Sequence, residues 1–220
     1  ILASTLLSDK KISLTNIPRV KDVETMIKLL ESMGSKVKVS KNNNSLIIQN
    51  DKKIKTVASY DLMSTMRAGI IVLGPLLARF GKARVSSPGG CNLGFRPIDI
   101  HLDALKRMGV KYKIVDGYIN AKAKNGLIGA KIKFPKISVG ATENLMIAAC
   151  LAKGQTVLSN CAIEPEIKDL SNFLCSIGAN IVWTGKRQVK IIGVKTFKQS
   201  NYKIMFDRIE AGTMLVAAAI

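Results

Sequence analysis

One five-residue phrase recurs three times along the chain, as Leu30-Glu31-Ser32-Met33-Gly34, Leu105-Lys106-Arg107-Met108-Gly109 and Leu174-Cys175-Ser176-Ile177-Gly178. Each phrase closes an amphipathic helical run, with its glycine placed as the left-handed cap. After each glycine come two short alternating stretches around a polar turn. They are Val37 and Val39 with Leu46-Ile47-Ile48, then Tyr112 and Ile114 with Tyr118-Ile119, then Ile181 and Trp183 with Val189 and Ile191. The turns are Asn42-Asn43-Asn44, Asp116-Gly117 and Gly185-Lys186, which reads each time as a helix followed by a hairpin. The glycines stand 75 and 69 residues apart. A unit of about seventy residues is too long for a solenoid repeat.

A second pattern, a helix and then a strand, lies between these segments. It covers 65–80 with 83–86 and 142–152 with 155–158, and the opening 1–7 with 11–14 reads as its tail. Residues 209–220 read as the head of another copy, and 131–134 as a strand ahead of the third unit's first helix. The unit is therefore βαβαββ. Three copies packed helices-inward around a pseudo-threefold axis give an α/β lobe of the inside-out barrel kind. Pro75 falls inside the 65–80 helix and is expected to kink it. Gly69 and Gly74 let that helix approach a neighbour closely.

Composition narrows the function classes. The 220 residues are 47% hydrophobic but only 5% aromatic, which suits an aliphatic α/β core of one or two domains. No apolar run reaches the roughly 18 residues that span a bilayer, and no signal peptide is visible. The chain opens inside one apolar segment, Ile1 to Leu7, and ends inside another, Met214 to Ile220, so it reads as an internal piece of a longer polypeptide. Cys91, Cys150, Cys161 and Cys175 form no C-x-x-C pair, and there is one histidine, so no metal site is expected. Cys150 and Cys175 sit in apolar helical patterns and read as small core residues, which fits a reducing cytoplasm. The net charge of +19 fits either a nucleic-acid surface or phosphorylated small molecules. Lysines spread over the whole chain, with no arginine-rich arm and no aromatic platform, favour a plain solvent face.

The chemistry-bearing stretch is Pro88-Gly89-Gly90-Cys91-Asn92-Leu93-Gly94-Phe95-Arg96-Pro97-Ile98-Asp99-Ile100-His101. Three glycines let backbone approach a ligand closely, Pro97 is preset for a first helical turn, and Arg96 favours the thiolate of Cys91. On physical grounds alone this is equally a surface turn with an incidental cysteine.

That stretch, together with Thr65-Met66-Arg67-Ala68, Ser138-Val139-Gly140-Ala141-Thr142, Glu164-Pro165-Glu166 and Asp207-Arg208-Ile209-Glu210-Ala211-Gly212-Thr213, resembles the UDP-N-acetylglucosamine 1-carboxyvinyltransferase family of enolpyruvyl transferases. The likeness runs end to end. It implies a two-lobed protein with substrates held between the lobes, residues 1–205 being the first lobe and 206–220 the start of a second. The implied reaction moves the enolpyruvyl group of phosphoenolpyruvate to the 3-hydroxyl of UDP-N-acetylglucosamine with release of phosphate, the first committed step of peptidoglycan precursor synthesis. It implies no cofactor and no metal, a cytoplasmic monomer, and neither nucleic-acid nor membrane partners.

By the same resemblance Cys91 is the proton donor and the nucleophile that can add to phosphoenolpyruvate. A thiol near its ordinary pKa of about 8.5 is mostly protonated at neutral pH, as an acid requires. Arg96 contacts phosphoenolpyruvate, and a guanidinium suits its carboxylate or phosphate. Pro97, Ile98, Asp99 and Ile100 receive the uridine, while Lys136, Ser138, Val139 and Gly140 receive the diphosphate at a helix start. Arg67 contacts the nucleotide sugar. His101 is expected to support its loop rather than to titrate in catalysis. The competing expectations are an enolpyruvyl transferase with a different acceptor, and an RNA cyclase-like protein built from related units. The 220 residues alone are expected to be inactive, because the second lobe carries the family's aspartate base.

Overall fold

A computed structural model describes residues 1–40, 44–87 and 98–220. The first unit comprises a 3-10 turn at Ala3–Leu7, strand β1 (Ile12–Thr15), helix α1 (Lys21–Met33) and the pair β2 (Ser35–Val39) and β3 (Ser45–Asn50). The second runs through β4 (Val57–Ala58), α2 (Tyr60–Met63), a 3-10 segment at Arg67–Val72, α3 (Leu73–Phe80), β5 (Lys82–Ser86), α4 (Asp99–Arg107), β6 (Lys111–Val115) and β7 (Tyr118–Lys122). The third holds β8 (Lys131–Lys133), α5 (Val139–Ala149), β9 (Gln155–Ser159), α6 (Pro165–Ser176), β10 (Asn180–Gly185) and β11 (Gln188–Ile192). Strand β12 (Ser200–Lys203) and helix α7 (Arg208–Ala219) follow.

The repeat is visible in the sheets. Their strand orders are β12-β1-β3-β2, β4-β5-β7-β6 and β8-β9-β11-β10. In each, the first pair is parallel and the remaining pairs are antiparallel. The first unit borrows its leading strand from the far end of the chain, Ile12 pairing with Ser200 and Thr15 with Lys203.

The recurring phrase has a physical meaning in all three copies. Its leucine and its Met or Ile, namely Leu30, Met33, Leu105, Met108, Leu174 and Ile177, are fully buried. Its glycine is left-handed, at φ +104° for Gly34, +91° for Gly109 and +107° for Gly178. Val110 N–H donates to the Leu105 carbonyl at 3.2 Å and Ala179 N–H to the Leu174 carbonyl at 2.9 Å, closing the helix end before the hairpin starts.

The inner helices pack on one another at the centre, and the sheets lie outside. Helix α5 is buried on nearly every side, with half-buried Glu143 the main polar exception, as expected of a central helix. Gly74 of α3 sits directly against Asn144 and Ala148 of α5, where a Cβ would collide with the Asn144 carbonyl oxygen at 2.5 Å.

Two expectations are corrected. Residues 65–80 are not one kinked helix. The chain runs as a 3-10 segment to Val72 and begins an α-helix at Leu73, which puts Pro75 in the first turn, where a missing N–H costs little. The β-branched run Ile70-Ile71-Val72 and the glycines at 69 and 74 weaken the α alternative. Cys175 is exposed rather than a core residue, because the inward stripe of α6 is Ile167, Leu170, Ser171, Phe173 and Leu174. Cys150 and Cys161 are buried, and burial pushes both thiols up, that of Cys161 to about 11. Among the described residues no helix is long and apolar enough to cross a membrane.

Candidate anion site at two helix starts

Ser138 is the N-cap of α5. Its backbone is extended and its hydroxyl accepts from Ala141 N–H at 3.3 Å. Thr142 ties the same turn down, its hydroxyl donating to the Ser138 carbonyl at 2.7 Å and accepting from Ala162 N–H at 3.1 Å. The amides of Val139 and Gly140 fall in the first turn, where the carbonyl four residues back lies outside the helix, so the helix start offers donors and positive potential to an anion. Lys136 is exposed on the stretch that leads into this turn.

Helix α4 starts beside it. Ile98 is its N-cap position, Asp99 its exposed first residue, and Ile100 is buried, so Ile100 presents backbone rather than side chain. Contact runs through His101, whose Cε1 and Nε2 lie 3.4 and 3.6 Å from where a Cβ on Gly140 would stand. The first turns of α4 and α5, some forty residues apart in sequence, therefore touch through His101 and Gly140. Arg67 opens the 3-10 segment that packs along α5. Cys91, Arg96 and Pro97 lie outside the described residues.

A buried amide fixes the state of His101. Asn144 Oδ1 accepts from Gly74 N–H at 2.7 Å, so its nitrogen is the donor, reaching the Ile70 carbonyl at 3.1 Å and His101 Nδ1 at 3.0 Å. His101 Nδ1 is thus an acceptor and its proton sits on Nε2, on the side of the α5 start. Burial pushes the imidazole down to about 4, with Asp99 opposing the shift. It is neutral at physiological pH. The expectation of a supporting histidine gains this network, which the sequence did not signal beyond an Asn inside an apolar run.

Two further features were missed at the residue level. Asn16 and Asn160, in left-handed conformation at φ 61° and 60°, end β1 and β9. Each donates its side-chain amide across the parallel pair, to the Ile204 carbonyl at 2.8 Å and the Phe134 carbonyl at 2.9 Å. The matching position after β5 is Ser87, beyond which the sequence enters the cysteine-bearing stretch. Glu166 in the first turn of α6 takes a two-point grip from Arg208, with Nε–Oε2 at 2.9 Å and Nη2–Oε1 at 2.8 Å. The Arg208 hydrogen bond holds the Glu166 carboxyl below its ordinary range. Asp207 caps α7, its Oδ1 accepting from Ile209 N–H at 2.8 Å. A cavity of about 360 Å³ opens at this end of the inner helices, lined by Ile1, Met26, Met66, Glu143, Asp169 and Phe206 among others.

The fold is that of the enolpyruvyl transferases. The enolpyruvyl transferase NikO from Streptomyces tendae matches 97% of this chain and 50% of its own with a TM-score of 0.83 at 18% identity. EPSP synthase from Acinetobacter baumannii matches 99% of this chain and 50% of its own at a TM-score of 0.75 and 16% identity. The sequence pattern of the family described as EPSP synthase (3-phosphoshikimate 1-carboxyvinyltransferase) covers residues 1–220, and the chain belongs to that family. Within it, the chain is 67% identical over 220 residues to the UDP-N-acetylglucosamine 1-carboxyvinyltransferase of Pelagibacter ubique and 49% identical over 222 residues to that of Coxiella burnetii. All of the chain is matched, against 52% and 50% of those relatives, so it spans about half their length.

Proposed function

We propose that the polypeptide to which this chain belongs transfers the enolpyruvyl group of phosphoenolpyruvate to the 3-hydroxyl of UDP-N-acetylglucosamine, in cell-wall precursor synthesis in the cytoplasm. The observation that carries this reading is the contact between the first turns of α4 and α5 through His101 and Gly140, which sets two helix starts side by side. Paired helix starts suit a nucleoside diphosphate, which needs several donors and a positive field at one point. The high identity to relatives of that name supports the choice of acceptor.

In this reading the amides of Val139 and Gly140, the Ser138 turn and Lys136 hold the diphosphate. Asp99 and the backbone of 97–100 hold the uridine, and Arg67 the sugar. Arg96 grips phosphoenolpyruvate and Cys91 delivers a proton to its C3. The sugar oxygen bonds to C2 as its own proton leaves to a base. Loss of a proton from C3 and breakage of the C2–O bond then release phosphate and restore the double bond. Residues 1–205 form one lobe and 206–220 lead into a second, which supplies the base, and the working unit is a monomer.

The test is phosphate release from phosphoenolpyruvate, with and without UDP-N-acetylglucosamine. It uses this chain and a polypeptide extended to the relatives' length. Only the longer one should turn over in an acceptor-dependent way, because losing even one positioned group costs about a hundredfold or more. In the longer polypeptide Cys91→Ala should abolish turnover and Cys91→Asp should keep part of it, since the step needs an acid rather than sulfur. Acceptor-independent release, or full activity of Cys91→Ala, would overturn the reading.

A further inference from the structure

The outer face of the second sheet carries cations in register. Lys82 of β5 pairs with Lys122 of β7, and Lys122 pairs with Lys111 of β6, so three lysines stand directly opposite one another across adjacent strands. Two residues along, the next row on the same face is Val57, Arg84, Asn120 and Lys113. The strands are about 4.8 Å apart and same-face rows about 7 Å apart. Five cations therefore share one small area. β4, β5, β6 and β7 contain no acid. Asp61 in α2 and Asp116 in the β6–β7 turn are the nearest in sequence, and no ion pair among the described residues involves any of the five cations. Like charges set directly opposite are unfavourable, so the row is costly unless something outside it carries the opposite charge.

The third row on the same face is uncharged. Val115, Tyr118 and Ser86 share a row, and the Tyr118 hydroxyl accepts from Tyr60 N–H at 3.2 Å, which brings Tyr60 to it. Val57, Tyr60 and Val115 are 43%, 61% and 50% exposed. Arg84 lies over the Tyr118 ring at 4.3 Å from its centroid, so that ring face is not free to stack on a base.

We propose that this face docks on an anionic lipid bilayer surface. A small-molecule site would be concave, and the cavity lined by Ile1, Met26 and Phe206 includes none of the five cations. With the Tyr118 ring under Arg84, exposed Tyr60 is a single aromatic rather than the run of stacking faces that single-stranded nucleic acid uses. Lysines that meet lipid phosphates, beside exposed valine and tyrosine side chains that enter the headgroup layer, match a bilayer surface in both charge and polarity. Peripheral docking needs no spanning segment.

The experiment is sedimentation of the protein with phosphatidylcholine vesicles that either lack phosphatidylglycerol or contain about one-third of it. Binding should require phosphatidylglycerol and weaken as salt is raised to physiological strength. A triple variant, Lys82→Glu with Lys111→Glu and Lys122→Glu, should bind about a hundredfold more weakly. A control with the same charge change on the third sheet, Lys131→Glu with Lys133→Glu and Lys190→Glu, should lose less than about threefold. Thermal unfolding verifies that each variant is folded, and a triple Lys→Gln variant at 82, 111 and 122 replaces the glutamate one if that does not fold. Equal losses in the two triples would reduce the effect to net charge and overturn the proposal. So would an absence of binding to phosphatidylglycerol vesicles, or a labelled oligonucleotide held by this face while vesicles are not.

Discussion

The Asn144 carboxamide bonds Gly74, Ile70 and His101 at once, so truncating it orphans a buried amide and a buried ring nitrogen together. Asn144→Ala should cost about 3 kcal/mol, read from urea unfolding. His101 gives a pH signature. Its folded pKa of about 4 lies below the ordinary 6.5. Between these values the unfolded chain takes up a proton that the native one refuses. Its contribution is therefore complete above pH 6.5 and lost as the pH falls toward 4. The loss should reach about 3 kcal/mol, and His101→Gln should abolish that part of the pH dependence when unfolding is compared at neutral pH and near pH 4. The helix-start serine was legible because capping is local. Asn144 was not, since its partners lie 43 to 74 residues away and an Asn within an apolar run advertises none of them. Cys175 was misplaced for a related reason: an apolar pattern gives the period of a helix but not which flank meets the core.

At the scale of elements, two glycines separate conformation from crowding. Gly34 sits at φ +104°, and its nearest foreign atom is 3.9 Å from where a Cβ would stand, so Gly34→Ala should cost only left-handed strain, about 1 kcal/mol. Gly74 has ordinary helical backbone, but any Cβ strikes the Asn144 carbonyl, and Gly74→Ala should cost more, about 2–3 kcal/mol with α3 displaced from α5. Equal losses in chemical denaturation would mean that α3 gives way freely. The helix–glycine–hairpin units were legible because their signals, an apolar stripe, a capping glycine and alternating strands, all sit within thirty or so residues. The break at Val72 was harder to read. Pro75 announces a disturbance, but whether the chain kinks or restarts depends on the tight fit to α5, which no local pattern records.

At the scale of the whole molecule, pairing of β12 with β1 closes the first sheet with a strand from the opposite end of the chain. Its short Ser-Asn-Tyr-Lys run carries too little pattern to announce a partner so distant in sequence. The Tyr202 hydroxyl and the Met205 N–H then donate to the Asp169 carboxylate at 2.7 and 3.3 Å, and Arg208 grips Glu166, so the chain is held firmly up to the start of α7. Beyond that anchor α7 has no buried residue, and Met214, Leu215 and Val216 are 64%, 72% and 66% exposed. An isolated helix of this length is marginal in water, because most helical stability comes from packing an apolar face. Amide exchange should therefore be fast through 210–219 in this chain, close to that of an unfolded segment, while α5 exchanges only on global unfolding. In a polypeptide of the relatives' length the proposed second lobe would cover these side chains, and α7 amides should slow by orders of magnitude. Slow exchange of α7 in the 220-residue chain would show that the helix needs no such cover, and would remove this support for residues 206–220 as the start of another lobe.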